Sequence, residues 1–585
     1  MTPDERFGDA LRSRREAANL SLSGLAALTH YGKGHLNGVE NGRRPAVREL
    51  ALRCDVALDA EGELLALAPP LSPPPSSHAS QPPRAAAQRR PVLAEAESPP
   101  EYGAEFDRLI RGGDARYAAG AMREADRWYL AAYRTAAGDA RAQAYAVVRC
   151  ARRWSDPGQA DRELPRLLRG ALAALDGDAS PAAGGLRLQL NAHLAKKLST
   201  AVGEDTAAPW AGPEQGARQA ARTLRELRGL PPERRLSLSA EARCEVLAEC
   251  RWGLYDFAPA AELLTVAEEL QDAAARARSA HFHGEALVAL AVDQLRAGRV
   301  DSALATVERH RAHAARRRSA LTTWQQSTLD TLLDLWRGRF EEAADWIFGE
   351  SRAIVERLEA DLTVPADTLR RTRLGQAYWL LREQGRVAEL FDSGSADGVA
   401  WRAGLILALC ETARYDRARD QLAAFAQDTR GFTTLPPHGW SVPTVTLLAE
   451  AYTKLAQRAP AGSQLPPVST QLRDRLAPHT SELALAGRPT VLLGPASRAS
   501  GLLALAENEP ARALHHFWHA ARLARSSPPL MARLRLDEAR AHLHTPTPGS
   551  RRTATTLLTT ALRSAEDLGM ATVAQECSAL LPQTT

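Results

Sequence analysis

Lysine is nearly missing from this chain. Of its 585 residues only Lys33, Lys196, Lys197 and Lys454 are lysine, and arginine supplies the rest of the 74 basic side chains. With the abundance of alanine, this bias reflects high-GC coding and says nothing of mechanism. Cysteine is scarce and scattered: Cys54, Cys150, Cys244, Cys250, Cys410 and Cys577 carry no zinc or redox spacing, which points to buried free thiols in a reducing cytoplasm. No apolar run approaches the ~20 residues that cross a bilayer. The opening MTPDERFGD is polar and acidic, unlike a secretory leader. GxxxxGK[ST], GxGxxG after a strand, GxSxG and HExxH are all absent, so the expectation is a cytoplasmic non-enzyme without cofactor or metal. His515, His516 and His519 lie beside Phe517 and Trp518 with no carboxylate or cysteine at ligand spacing, and they read as a helix face. Net charge is only +5.

What is present is helix. A chain of 585 residues is too long for one core, so several domains or a repeat array are expected. The segment from Phe7 to Leu67 contains LSLSGLAALTHYGKGHLNGVENGRRP. This reads as a helix from Leu20 to Leu28 capped by Ser21, with Leu22, Leu25, Ala26 and Leu28 apolar. A turn at His30, Tyr31 and Gly32 follows, then a second helix from Lys33 to about Asn41, closed by Gly42. Two short helices so joined cross steeply, and one can enter a DNA major groove. Lys33, His35 and Asn37 are the candidate base contacts, and Arg43, Arg44 and Arg48 the candidate backbone contacts. Glu40 is expected to hold the turn through local backbone bonds. Leu11, Leu25, Leu36, Val39, Leu50 and Leu52 should form a small core. Residues 1 to 54 hold nine Arg/Lys against six Asp/Glu, a local charge of +3, so few phosphates are neutralised by one copy.

Leu25-Ala26, Leu36, Glu40, Gly42, Arg44 and Pro45 stand at the spacing of the lambda repressor/Cro (Cro/C1, XRE) family, whose DNA-binding domain this segment resembles. The likeness is greatest to the version found in large actinobacterial transcriptional regulators. Leu22 stands where many members have a phosphate-gripping Gln, and Gly32 replaces the usual Ser or Thr cap. Gly34 and Gly38 interrupt the second helix, each costing ~1 kcal/mol relative to Ala. The resemblance implies a partner, double-stranded DNA, bound by a homodimer on a two-part site.

Residues 69 to 101 are rich in Pro, Ser and Ala without apolar period, and read as a linker. From Tyr102 onward a helical unit recurs imperfectly, at Gly120, Tyr255, Ala297, Arg337, Gln384, Ala413 and Asn508. Each pairs a turn with a small residue three to five positions on, then an apolar face. Gly298 and Gly338 are forty apart, and Gly338 and Gly385 forty-seven, which suits degenerate tetratricopeptide-like hairpins. The stretches from Arg152 and from Leu476 (LAPHTSELALAGRPTVLLGPASRASGLLAL) also resemble the helical C-terminal region of actinobacterial multidomain regulators, here without their ATPase module.

The expected fold is therefore all-α: a five-helix head at 1–68, a linker at 69–101, and an α-solenoid at 102–585. The expected function is a DNA-binding transcriptional regulator whose array binds a peptide, protein or small effector, or self-associates. The alternative is a helical-repeat adaptor whose head does not read DNA. All eleven tryptophans lie in the array; with arginine they would suit a groove for an acidic peptide.

Overall fold

A computed structural model describes residues 3–29, 31, 33–43, 48–58, 60, 63–67, 102–154, 163–201, 211–317, 319–361, 363–392, 401–458, 465–487, 489–545 and 547–584. The chain divides into two compact units, Met1–Cys150 and Ala151–Thr585. The linker expected at 69–101 lies outside the described residues.

The first unit begins with five helices: α1 (Pro3–Ala17), α2 (Leu22–Thr29), α3 (Lys33–Glu40), α4 (Arg48–Ala57) and α5 (Glu63–Leu67). Ser21 caps α2, its Oγ accepting from Gly24 N–H at 3.0 Å, which offsets one orphan amide of the first turn. Gly42 ends α3 at φ 65°. Its N–H reaches the Val39 carbonyl at 3.0 Å, and the next N–H, of Arg43, reaches that of Gly38 at 2.8 Å. This is a Schellman closure, and only glycine takes its left-handed residue without strain. The core holds the expected Leu11, Leu25, Leu36, Val39 and Leu50, with Phe7, Cys54, Leu58 and Leu64 added. The side chain of Leu52 lies outside the described residues. Leu28, read as part of the apolar face of α2, is 49% exposed. Gly8 brings α1 onto the end of α3: a Cβ there would sit 2.6 Å from the Val39 carbonyl oxygen.

The first unit continues with α6 (Ala104–Ala119), α7 (Met122–Thr135) and α8 (Ala140–Cys150). The turn between α6 and α7 recurs in the second unit. Gly120, Gly298, Gly338, Gly385, Ala413, Asn508 and Gly569 all adopt positive φ. Each closes a helix as Gly42 does; Gly298 N–H, for example, meets the Leu295 carbonyl at 3.0 Å and Arg299 N–H that of Gln294 at 2.8 Å. Five residues beyond such a turn stand Ala125, Ala303, Ala343, Ala418 and Ala513, all at 0% exposure, and nine beyond stand Tyr129, Val307, Ile347, Leu422 and Phe517, all buried. The small residue lets the second helix of each hairpin lie against the first, and the large one, a turn later, fills the gap. Where the large residue is aromatic, a glycine receives it: a Cβ on Gly113 would lie 2.4 Å from the Tyr129 ring, and one on Gly501 2.5 Å from Phe517. The unit noted at Tyr255 lacks this turn, and Gly569, outside the units noted, has it.

Two differences from the expected array stand out in the second unit. The stretch read as helical after Leu476 contains a two-stranded antiparallel sheet, β1 (Leu483–Ala486) and β2 (Val491–Pro495). All its residues are buried, as the unbroken apolar runs LALA and VLLGP allow. Some of the arginines of this region are turned inward and paired with carboxylates. Arg251 is fully buried against Asp293. Arg382 pairs with Glu411 at 2.7 Å and with Glu450. Arg498 bridges Glu450 and Asp537 at 3.2 and 2.8 Å, and Arg533 meets Glu383 at 3.0 Å. Trp324, Trp336 and Trp379 are buried, whereas Trp518 is exposed. All six cysteines are free and buried.

These buried charges set a pH dependence. Burial and the nearby Arg152 hold His281 down at about 4, and burial with His283 does the same to His313. An unfolded chain takes up these protons first, so stability falls as pH drops from about 6.5 towards 4. Burial raises Glu249 and Glu576, but neighbouring cations outweigh it and hold both at about 2. Their stabilisation is present above the ordinary carboxylate range and is lost as pH falls from about 4.5 towards 2. His193 and Glu285, both raised, oppose the trend. The thermal midpoint of the second unit should therefore be highest near pH 7 and decline in two stages on acidification. A midpoint that is flat or rising between pH 7 and 4 would contradict this assignment.

Candidate nucleic-acid interface

The sequence of α3, KGHLNGVE, is amphipathic within two turns. Leu36 and Val39 are buried at i and i+3, so Lys33 and Asn37, one turn apart, are left on the exposed face with Gly34 between them. A Cβ on Gly34 would touch nothing within 4 Å. The helix therefore has no internal reason to accept the ~1 kcal/mol that glycine costs there. His35 sits at the edge of this face, half-buried, its ring 5.3 Å from that of Tyr31. Arg43 is exposed just past the end of α3. Arg44 lies outside the described residues, and Arg48 opens α4 with a side chain that is not described.

Glu40 differs from its expected role. It is buried on the inward face with Leu36 and binds α1 rather than the local backbone. Arg15 grips it bidentately, Nε to Oε1 at 2.6 Å and Nη2 to Oε2 at 3.0 Å. Arg12 adds a third contact, Nε to Oε2 at 3.6 Å. The Glu40 carboxylate raises the Arg15 guanidinium above its ordinary range through this hydrogen bond. The physical reason is burial: a carboxylate removed from water needs a charged partner more than another amide.

Arg12 does a second thing that the sequence reading missed. Its Nη2 donates to Asn41 Oδ1 at 2.6 Å, and Asn41 Nδ2 donates to Asn37 Oδ1 at 3.0 Å and to the Asn37 carbonyl at 2.7 Å. This relay fixes the Asn37 amide before any ligand arrives. A signal was available: Glu40 is the sole acid between Glu16 and Glu49, and Arg12 and Arg15 share a face of α1. Arg14 pairs with Glu63 at 2.6 Å. Three of the head's cations are thus used internally.

Residues 6–68 match the family model of a helix-turn-helix domain. That match spans α1 to α5 and leaves the helical hairpins unassigned. No curated protein matches the chain. Among solved structures, one described as a "Circular tandem repeat protein with novel repeat topology and enhanced subunit contact surfaces" is 15% identical; the alignment covers 82% of this chain and 94% of that one, at a TM-score of 0.14. So low a score carries no argument about the array. In the helix-turn-helix domain, α2 and α3 are the paired helices, and the exposed face of α3 is the surface such domains turn to DNA. Among the described residues no helix is long and apolar enough to cross a membrane.

Proposed function

We propose that this protein is a cytoplasmic, sequence-specific transcriptional regulator of the Cro/C1 (XRE) type, built from a DNA-reading head at 1–68 and a tetratricopeptide-like array at 102–585. The observation that carries the reading is the outer face of α3. There Lys33 and Asn37 flank a glycine whose added Cβ would meet none of the described residues within 4 Å. An α-helix with a bare backbone patch can approach base edges closely. Lys33, His35 and Asn37 are assigned to bases, with His35 at the rim. Arg43, Arg44 and Arg48 are assigned to phosphates. Asn37, held by Asn41, is poised to pair with an adenine edge. With Arg12, Arg14 and Arg15 engaged internally, one head neutralises few phosphates, which favours two chains on a two-part operator. The array is assigned to an effector of peptide, protein or small-molecule class, or to self-association. An effector would act by binding two states of the array unequally.

Operator selection from random duplexes with the full chain tests this. Lys33→Ala and Asn37→Ala should each relax one position of the motif, at ~1–3 kcal/mol per lost base contact. Arg43→Ala should weaken all sites alike. Gly34→Ala is the sharper probe. It should stabilise the head by about 1 kcal/mol yet weaken specific binding, because the added methyl stands between α3 and the groove.

The second reading, an adaptor whose head does not read DNA, draws on the internal use of Arg12, Arg14 and Arg15. Under it, Gly34→Ala raises stability and no variant alters duplex binding.

A further inference from the structure

The second unit brings His438 against two side chains some forty residues further on, His479 and Glu482. His438 lies in the loop Pro436–Trp440, His479 in the short turn Ala477–His479, and Glu482 just before β1. One ligand atom from each lies within 4.8 Å of the others. We propose that His438, His479 and Glu482 form a binding site for a divalent transition metal of the zinc class.

The hydrogen inventory of His479 supports this. Its Nε2 lies 3.0 Å from the Pro437 carbonyl oxygen. A carbonyl only accepts, so Nε2 carries the hydrogen. Nδ1, the other ring nitrogen, faces Glu482 Oε2 at 3.3 Å. A proton shared there makes an ion pair, and a metal ion can take that proton's place. A ring N–H donated to a backbone carbonyl is also the arrangement that orients imidazoles on metals. His438 completes the set: its Nδ1 is buried and makes no hydrogen bond, and its ring stands edge-on to His479 at 5.1 Å between centroids. The guanidiniums of Arg296 and Arg475 act on it from nearby.

The three groups are held in place without a metal. Asp256 accepts the Trp440 N–H at 2.8 Å on its side chain and the His438 N–H at 3.0 Å on its carbonyl. Gly439 has φ +49°, and a Cβ there would fall 1.9 Å from Asp256 Oδ1; only glycine fits. Arg475 ties the same loop through the carbonyls of Leu435 and Pro436 and through Ser441 Oγ at 2.8 Å. Glu482 is fixed on both sides, its N–H to the His479 carbonyl at 2.8 Å and its carbonyl to Ala496 N–H at 3.0 Å. Metal–ligand bonds of about 2.1 Å put tetrahedral donors about 3.4 Å apart, against the 4.8 Å within which the three ligand atoms stand here. Two imidazoles and one carboxylate favour zinc-class ions over the all-oxygen preference of magnesium and calcium. Three protein ligands leave a fourth position for water or an incoming group. Arg296 and Arg475 oppose a cation here; Glu482 and Asp256 offset them.

The test uses the full chain, stripped with chelator, in a His515→Ala/His519→Ala background that removes one histidine pair at i, i+4 on a helix face. Calorimetric titration with Zn2+ should show one equivalent bound and a raised thermal midpoint. Co2+ should give visible absorption bands of a low-coordinate nitrogen/oxygen site. His479→Ala should abolish both, and Glu482→Gln and His438→Ala should each weaken binding by more than the roughly 10–100-fold that an outer-shell partner costs. Circular dichroism in chelator checks that each variant is folded; if His479→Ala is not, the other two decide. The proposal is overturned if the background protein takes up no Zn2+, or if Glu482→Gln and His438→Ala bind as it does.

Discussion

Glu40→Ala should loosen the whole head and abolish the DNA binding proposed for it, although Glu40 is not on the exposed face of α3. The residue is almost wholly buried, and its carboxylate is the counter-charge for Arg15 and Arg12. Removing one partner of a buried ion pair strands the other, at about 3–5 kcal/mol. A head of this size has little to spare. The loss also falls where α1 meets α3, the contact that Gly8 makes close. Amide exchange in the full chain is the measurement: α3 and the facing turns of α1 should lose protection, with the array unchanged. Glu40→Gln, which keeps an acceptor, should lose less. Replacing both partners, Arg15→Met with Glu40→Leu, should recover much of the loss, because an apolar pair of similar volume strands no charge. If the single variant keeps native protection, the ion pair does not hold α3. The contrast with Lys33→Ala separates architecture from recognition: one variant removes binding at every sequence, the other changes which sequence is bound.

Glu450→Ala should be the most damaging single change in the second unit. Glu450 stands between Arg382 and Arg498, which turn to Glu411 and Asp537 on their far sides. The chain continues from Asp537 to Arg540 at 3.3 Å, and from Arg540 to Glu576 at 2.6 Å. Burial acts to raise Glu450, but Arg382, Arg498 and Arg533 outweigh it and hold the carboxylate well below its ordinary range. Without it, two buried guanidiniums each lose one of two carboxylates and are left facing each other, again at about 3–5 kcal/mol. Each hairpin of an array leans on its neighbours, so the damage should be local. Exchange protection should fall in the helices Ala366–Glu383, Ser441–Arg458 and Ala496–Ala506 and persist near Ala260–Ala277. Glu450→Gln should be intermediate. A thermal midpoint equal to the parent's would show that the network is carried by its outer carboxylates alone. The same burial explains why these arginines do not offer themselves to an acidic effector.

Much of the fold is legible in the chain because its signals are local. Ser21 before an apolar run, and Gly42 after Leu36 and Val39, state where two helices start and stop, since a cap or a left-handed residue acts within one turn. The recurrence of a turn and a buried alanine five residues on is likewise a short-range pattern, so the hairpins could be read from 120 to 508. The strands at Leu483–Ala486 and Val491–Pro495 could not, because a short apolar run packs equally well in either state until its neighbours are known.

What lay beyond the sequence was the pairing of charges. Composition gave the head a charge of +3 but not which cations remain outside; Arg12, Arg14 and Arg15 turn out to be bound within it. The outward side of α3 followed from the period of Leu36 and Val39, whereas the relay from Arg12 through Asn41 to Asn37 needed the crossing of α1 over α3. His438 and His479 are forty-one residues apart in the chain, and only the fold brings their rings to 5.1 Å between centroids. Backbone propensity and apolar period are properties of a few consecutive residues, so the sequence by itself determined the helices, their turns and their inward faces. Ion pairs and side-chain clusters are properties of distance in space, and only the tertiary structure decided them.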